Sequence, residues 1–470
     1  MDEVACLIAL VETLIAEVQR LTARVDELEA ENLELKSRLG VNPSNSSKPP
    51  STNPPWVKPP PKKKPSGKKA GGQPGHVGKA RTQVPPEAVQ HRITVRPTTC
   101  KKCNAAFHEH AKFRPGWIHQ VVEIPPIQIV ITNHEMESCQ CDTCGEWTKA
   151  QLPAGVPVGV AGPNLQALVA YMTGQMRVSR RYLMGFLEAI GVNLSVGTIQ
   201  AILEGTSEAL ARPAAEALAV VQRSASVHLD ETGFGRSKDK RWWLWVASSL
   251  TAVAFKLAAG RGRDQLLELI PPDYAGNVHR DRWKPYEILQ CAKHALCHAH
   301  LTRNFHGLID RGGNAKAMGE YLLAENNRMF SLWHLFLKDE LDREGLQHEM
   351  KPMRDGMKQR LEQVLEEKDP DPKARALAKD LLRQWESLWT FVDSEGAVPT
   401  NNEAERALRH AVVWRKTSHG IQSEAGAQFV ERILTVLGTA AKQSLSILPY
   451  LREACLARLE GRDAPTLFAV

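Results

Sequence analysis

From Val4 to Leu39 the apolar residues recur every seven positions, with Val4, Val11, Val18, Val25, Asn32 and Leu39 at heptad position a and Leu7, Leu14, Leu21, Leu28 and Leu35 at d. β-Branched residues at a with Leu at d predict a parallel two-stranded coiled coil, and a polar Asn32 in the seam fixes its register. Arg24 with Glu29, and Glu31 with Lys36, complete oppositely charged g-to-e′ pairs across such a homodimer. The alternative is an amphipathic helix that packs on its own chain. Beyond it, residues 41–78 lose all apolar periodicity and fill with Pro, Lys, Ser and Gly, which predicts a tether.

Helical periodicity returns over residues 163–221, where Ser179 to Ile190, a Gly191–Leu194 turn and Ser195 to Leu210 pattern as a helix-turn-helix. Ser195, Thr198 and Gln200 would face bases and Arg177, Arg180 and Arg181 phosphates; ordinary helix packing is the competing reading. The pattern then switches to strand-like runs, the first of which, Ser226–Thr232, alternates with period two. Ser226–Thr232, Arg241–Ala247 and Thr251–Leu257 predict a three-stranded meander, Gly262–Ile270 a helix, Gly276–Asp281 a fourth strand, Trp283–Gln290 a helix and Ala295–His300 a fifth strand. Lys351–Glu367 and Lys373–Leu388 predict helices of an insertion, and Asn401–Arg409 an Asn-capped helix start. Three strands, helix, strand, helix, strand and a later helix is the element order of a ribonuclease-H-like core.

Three acids fall at the ends of these elements. Asp230 and Asp281 close strands, and Glu405 opens the last predicted helix. Carboxylates suit Mg²⁺, a hard cation that prefers oxygen ligands, and two such ions about 3.5–4 Å apart clamp a phosphodiester during in-line displacement. Each acid also has a plain reading: a surface carboxylate at Asp230, an ion pair with Arg282 at Asp281, a capping box with Asn402 at Glu405. Asp273 is the fallback for the second acid.

Composition and charge sharpen this picture. The chain has 470 residues, enough for several domains, and a formal net charge of +7. Between Lys48 and Arg81 stand nine Lys/Arg and no acid, so the rest of the chain is slightly acidic. Lys62, Lys63, Lys64, Lys68 and Lys69 on a tether suit sequence-independent phosphate contact, or simply keep a linker soluble. The N-terminus lacks a basic n-region and its apolar stretch is broken by Glu12, which predicts neither a signal peptide nor a membrane span, and a cytoplasmic protein. Among nine cysteines, Cys100-Lys-Lys-Cys103 and Cys141-Asp-Thr-Cys144 have the spacing of a tetrahedral Zn²⁺ site. Ile127–Thr132 between them reads as a strand, so a zinc ribbon fits, with Cys139 as a substitute ligand and free thiols as the alternative.

Several stretches together resemble the transposases of the insertion sequence 66 family: Asn45–Ser51, Gly71–His76, the cysteine knuckles, Asp230-Glu231-Thr232, Cys297-His298-Ala299-His300 and Asn401–Arg406. The resemblance implies a DDE-type transposase in which Asp230, Asp281 and Glu405 match the acidic triad and Glu403 is a non-catalytic neighbour. It implies two catalytic Mg²⁺ ions, structural Zn²⁺, cleavage at terminal inverted repeats followed by strand transfer into target DNA, accessory proteins encoded by the same element, and a bacterial, nucleoid-associated location. The chain departs from the family at Arg282, where Gly is usual, and at His298, where Trp is common; Tyr286 keeps its distance from the acid. A Cys-x-x-His after the second acid leaves His300 as a supporting or a merely structural residue. Beyond Glu405, Arg406, Arg409, Arg415 and Lys416 suit DNA phosphates or form a solvated basic face.

The expected fold is multidomain α+β: a coiled coil over 1–40, a basic linker over 41–85, a zinc-ribbon-like domain over 86–158 and a helical region over 159–222, then a ribonuclease-H-like core over 223–310 and 399–470, split by a helical insertion over 311–398. A decayed or domesticated, non-catalytic DNA-binding protein is the main rival. A structure-selective nuclease of the same fold, which would cut without joining, is the other.

Overall fold

Heptad periodicity becomes one long helix, α1 (Asp2–Leu39), in a computed structural model that describes residues 2–39, 41–46, 82–236, 240–368, 370–418 and 420–468. The lysines of the tether, Lys62, Lys63, Lys64, Lys68 and Lys69, lie outside the described residues. Two units are distinguished, Trp56–Ile131 and the remainder, Met1–Pro55 with Thr132–Val470. In the smaller unit the described regular elements are a 3-10 turn at Pro86–Ala88 and an isolated antiparallel bridge, Thr99 with Ala106. Ile127–Thr132, expected as a strand, finds no ladder partner among the described residues, and its isoleucines are exposed. Alternating isoleucines favour a strand only where another strand pairs with them.

The larger unit continues with a hairpin, β1 (Ser138–Gln140) and β2 (Trp147–Lys149), and four helices, α2 (Pro163–Gly174), α3 (Arg180–Ala189), α4 (Val196–Ala209) and α5 (Ala211–Arg223). Ser179 and Ser195 cap α3 and α4, accepting the backbone N–H of Tyr182 and Thr198. Next come β3 (Ser226–Arg236), β4 (Lys240–Ser248), β5 (Val253–Ala258), α6 (Arg263–Leu267), β6 (Asn277–Arg280), a 3-10 turn (Lys284–Ile288) and β7 (Lys293–Leu296). The fifth strand is shorter than predicted, since His298 already begins α7 (His298–Arg311).

These strands form one sheet in the order β5-β4-β3-β6-β7, with β3, β4 and β5 antiparallel and β6 and β7 parallel to β3. Period two sorts the two faces. Val227, Leu229, Trp245, Ala247 and Ala254 join a core with Leu266 and Tyr286, whereas Leu244, Val246, Val253, Phe255 and Leu257 join the core built by α2 to α4 and the C-terminal helices. Those helices are α12 (Asn402–Ser418), α13 (Glu424–Lys442) and α14 (Ile447–Leu459). Helices α2 to α4 therefore share their hydrophobic core with the C-terminal part of the chain.

Between α7 and α12 stand α8 (Gly313–Phe336), α9 (Arg343–Glu366), α10 (Pro372–Arg383) and α11 (Trp385–Asp393), packed around their own core of Met350, Met353, Met357, Trp389 and Phe391. The single helix expected over Lys373–Leu388 breaks at Gln384, whose buried side chain accepts from Arg280 at 3.0 Å and donates to Asp380 at 3.0 Å.

Helices cover both sheet edges. On β5, the N–H groups of Leu257, Phe255 and Val253 donate to Glu431, Thr435 and Thr439 of α13 at 2.7, 3.0 and 3.1 Å. Four helical residues rise about 6 Å and two strand residues about 6.7 Å, so a side chain every helical turn meets every outward strand N–H. On β7, Thr390 of α11 donates to the carbonyl of His294 at 2.5 Å.

Candidate active site

Strand register sets the first two acids side by side. β3 pairs with β6 as Val227 with Val278 and His228 with His279, and the same offset continued two residues sets Asp230 level with Asp281. Neighbouring strands lie about 4.8 Å apart, so the carboxylates are near neighbours on the pleat face of His228 and His279. Asp230 accepts the N–H of Glu231 at 2.9 Å, and Asp281 that of Trp283 at 2.8 Å. Burial, then the charges of Glu231, Asp281 and Glu405, push the Asp230 carboxyl well above the usual carboxylate range.

Glu405 reaches this place on the first turn of α12, which a buried Asn401 ties to β3. The Asn401 amide donates to the Leu229 carbonyl at 2.6 Å and accepts from His228 at 3.2 Å, while its backbone N–H meets the Cys297 sulfur at 3.2 Å. The sequence offered Asn402 as the cap; Asn402 is instead the first helical residue, and Asn401 does the tying. Glu405 Oε1 lies 3.7 Å from His300 Nε2 and 4.0 Å from an Arg303 nitrogen, is buried, and accepts no hydrogen bond. Two residues along a helix point elsewhere: Glu403 pairs with Lys442 at 2.5 Å and Arg406 at 3.2 Å.

A buried carboxylate oxygen without a hydrogen bond, beside two further acids and met only at 3.7–4.0 Å by His300 and Arg303, is a donor set that fits hard divalent ions. Among the described residues, the group of three whose ligand atoms all lie within 4.8 Å of one another is Cys297, His300 and Glu405, without Asp230 or Asp281. Burial raises the Cys297 thiol to about 11, which favours its protonated form and oxygen rather than sulfur as donor. His300 Nδ1 is buried without a hydrogen bond.

The neighbouring acid, Glu231, turns to the opposite sheet face. Its Oε1 pairs with Arg261 and its Oε2 accepts the Tyr286 hydroxyl, so both oxygens are engaged. The Arg261 guanidinium lies 4.7 Å from the Trp243 ring and 4.0 Å from the Trp283 ring. Burial and Asp281 push the Glu231 carboxyl up, and Arg261 and Tyr286 oppose them. Arg261 and the stacked pair His228 and His279, with ring centroids 4.0 Å apart, carry no spacing rule that marks them in the sequence, and the tie from Asn401 to β3 is equally silent there.

Of the basic residues, Arg406, Arg409 and Lys416 are exposed on one face of α12, and Arg180 and Arg181 are exposed at the start of α3. Arg415 is bound to β3, donating to Thr232 at 2.8 Å and to the Gly233 carbonyl, and Arg177 meets His410 at 3.2 Å.

Each cysteine pair sits in a knuckle of the same local design, though the pairs belong to different units. Cys100 N–H donates to Ala105 at 2.9 Å and Asn104 N–H to Cys100 at 2.9 Å; Cys141 N–H donates to Glu146 at 2.8 Å and Gly145 N–H to Cys141 at 2.8 Å. Asn104 and Gly145, each just after the second cysteine, have φ of 59° and 74°, the left-handed turn that Asn and Gly tolerate. Backbone N–H groups aimed at sulfur lower the Cys100 thiol and bring that of Cys141 to about 7. Cys139 lies inside β1 and donates to the Gln140 carbonyl at 3.6 Å.

A family described as "Transposase IS66 family" matches residues 158–429, and one described as "Family of unknown function (DUF6444)" matches residues 3–82. The chain is 24% identical over 424 residues to an uncharacterized protein, y4hP, of Sinorhizobium fredii, a match covering 82% of this chain and 75% of that one. No solved structure matches. Among the described residues, no helix is long and apolar enough to cross a membrane.

Proposed function

The chain belongs to the IS66 family of transposases, and from that premise we propose that it binds the terminal inverted repeats of its insertion sequence and catalyses Mg²⁺-dependent DNA cleavage and strand transfer. The observation that carries this reading is the parallel register of β3 with β6, which continued two residues sets Asp230 level with Asp281, with the Glu405 carboxylate within electrostatic reach of Asp230. The strand order and the helix bearing Glu405 support a ribonuclease-H-like core. Asp230, Asp281 and Glu405 would hold two Mg²⁺ ions, which when bound supply the Lewis acidity to ionise the attacking hydroxyl and to neutralise the leaving oxygen.

The chain's own residues keep the acids in place. Asn401 fixes α12 on β3, and Glu403 is withdrawn into its pair with Lys442. In the first step water forms a bond to phosphorus and the 3′ oxygen leaves with a proton; in the second that 3′-hydroxyl attacks a target phosphodiester and a new 3′ oxygen leaves. No covalent protein intermediate is required. Arg180, Arg181, Arg406, Arg409 and Lys416 would grip phosphates, joined by the tether lysines; Arg415 serves through β3 rather than through DNA. Each knuckle would supply two thiolates to structural Zn²⁺.

From Leu7 to Leu39 the a and d residues of α1 are exposed, Leu14 at 56% and Val18 at 60%, so a second copy in parallel register would bury that stripe and bring two active sites together, one per element end. Accessory proteins of the same element and a cytoplasmic, nucleoid-associated location belong to this reading.

The test is an in vitro reaction on a labelled duplex carrying the element's end, with Mg²⁺, comparing the wild type with Glu405→Gln and Glu403→Gln. Metal-dependent cutting and joining that is lost in Glu405→Gln and retained in Glu403→Gln is expected. Cutting that survives Glu405→Gln sinks the assignment of the third acid, and end binding by the wild type without cleavage, in the presence of the element's accessory proteins, sinks the catalytic reading in favour of a DNA-binding protein.

A further inference from the structure

The Asp230-Glu231-Thr232 motif contains an acid that the proposed chemistry leaves unused. Glu231 is almost fully buried, its side chain 1% exposed, and both its oxygens are occupied by Arg261 and Tyr286, so it has no free oxygen for a metal. A carboxylate so deeply placed and so completely paired acts as an anchor. What it anchors is Arg261, in the segment between β5 and α6. The guanidinium is flanked by two indoles, Trp243 of β4 and Trp283, and the Trp283 indole N–H donates back to the Arg261 carbonyl at 3.4 Å. Trp283 lies two residues beyond Asp281, and its backbone N–H holds Asp281 Oδ1 at 2.8 Å. A continuous set of contacts therefore runs from Glu231 through Arg261 and Trp283 to the second acid of the triad.

We propose that Arg261 is a positioning residue for Asp281: fixed by Glu231 and stacked on Trp283, it holds the loop after β6 so that the Asp281 carboxylate is presented to metal in one orientation. The proposal rests on the reading of Asp281 as a metal-holding acid. It also explains why two adjacent acids on β3 differ in role. The pleat sends Asp230 to the metal face and Glu231 to the opposite face, where it holds the arginine that disciplines the neighbouring loop. Arginine suits the place because its planar guanidinium stacks on two rings while still binding a carboxylate; lysine can keep the charge pair but not the double stack.

The experiment follows Mg²⁺ binding by thermal shift on the full-length protein without DNA, for the wild type, Arg261→Gln, Arg261→Lys and Trp283→Leu, and measures cleavage of the end duplex across the same Mg²⁺ range. Loss of a group that orients a metal ligand weakens metal affinity by roughly 10–100-fold. The expected result is a Mg²⁺ midpoint raised about tenfold in Arg261→Gln and Trp283→Leu, less in Arg261→Lys, with cleavage recovering at high Mg²⁺ and end binding in EDTA unchanged. If Arg261→Gln does not fold, Arg261→Lys and Trp283→Leu carry the comparison. Variants that melt earlier yet keep the wild-type Mg²⁺ midpoint would overturn the proposal and leave Arg261 a purely structural residue. A wild type that shows neither Mg²⁺ stabilisation nor cleavage would overturn the triad reading itself, and this proposal with it.

Discussion

Replacing Asn401 with alanine should weaken the protein where β3 meets α12, because Asn401 is fully buried and its amide joins the two elements. The substitution removes the donor to the Leu229 carbonyl and the acceptor of the His228 N–H, and leaves both partners inside the structure. Each buried group stranded without a partner costs about 1–3 kcal/mol, so a loss of about 2–6 kcal/mol is expected, with about 3 as the working figure if water reaches one of them. The backbone N–H to Cys297 survives in alanine, so α12 keeps that one attachment. Urea unfolding followed by tryptophan fluorescence, read as the shift of the main transition, measures the loss. Mg²⁺ titration reads the positional effect, which should appear as weaker binding, since Glu405 rides on the same helix turn. A variant within about 0.5 kcal/mol of wild type and with unchanged Mg²⁺ affinity would refute the view that Asn401 ties the site together.

Three further outcomes follow from the site and its surroundings. His279 accepts the Val398 N–H on Nε2 and donates from Nδ1 to the Val227 carbonyl, and burial lowers it to about 4. Its contribution to stability is complete above pH about 6.5 and is lost as pH falls toward 4, at about 1.4 kcal/mol per pH unit and about 3 in all; the difference in unfolding free energy between the wild type and His279→Gln should show this slope, because the other depressed histidines, His228 and His294 among them, and the raised carboxyls of Asp230, Glu231 and Glu431 titrate in both, and a flat difference over that window would contradict it. Arg409→Ala and Lys416→Ala should each lower the salt dependence of end binding by about one unit of slope without changing stability, whereas Arg415→Ala should lower the melting temperature; the reverse assignment would show that Arg415 is the phosphate contact. A chromogenic chelator should release Zn²⁺ from the purified protein, less should be bound in Cys100→Ser and Cys141→Ser, and binding should weaken below pH 7 as the thiolates protonate; equal zinc content in all three would remove the knuckles as ligands.

Much of the sheet was legible because strands buried on both faces read as short, nearly continuous apolar runs bounded by turns, as in Arg241–Ala247 and Thr251–Leu257, while Ser226–Thr232 alternates because its polar positions share the face of Asp230. Asp281 was visible because it ends such a run, and Ser195 because a capping hydroxyl leaves a local signature; Asp230, expected at a strand end, lies in mid-strand, since pairing with β4 carries β3 on to Arg236. Partners far away in the chain were not visible. Asn401 and Asn402 are equivalent to a propensity rule, and only the fold decides that Asn401 faces Leu229, 172 residues away. Arg261 carries no pattern at all, since a guanidinium between two indoles needs three segments of the chain. The amphipathic helices α2 to α4 announced an apolar face but not that the C-terminal helices would cover it, and the isoleucines of Ile127–Thr132 promised a strand that finds no partner among the described residues.

The side-chain ladder along β5 has a consequence in time. Val253 and Thr439 are 186 residues apart, so at roughly 5–20 residues per second a ribosome takes about 10–40 s to deliver the helix that satisfies the strand's outer edge. Through that interval a nascent chain presents a bare β edge of the kind that recruits other strands. Early translation products should therefore be the aggregation-prone species, and chains terminated ahead of Glu424 should collect in the insoluble fraction or on chaperones even though every strand of the sheet has been made.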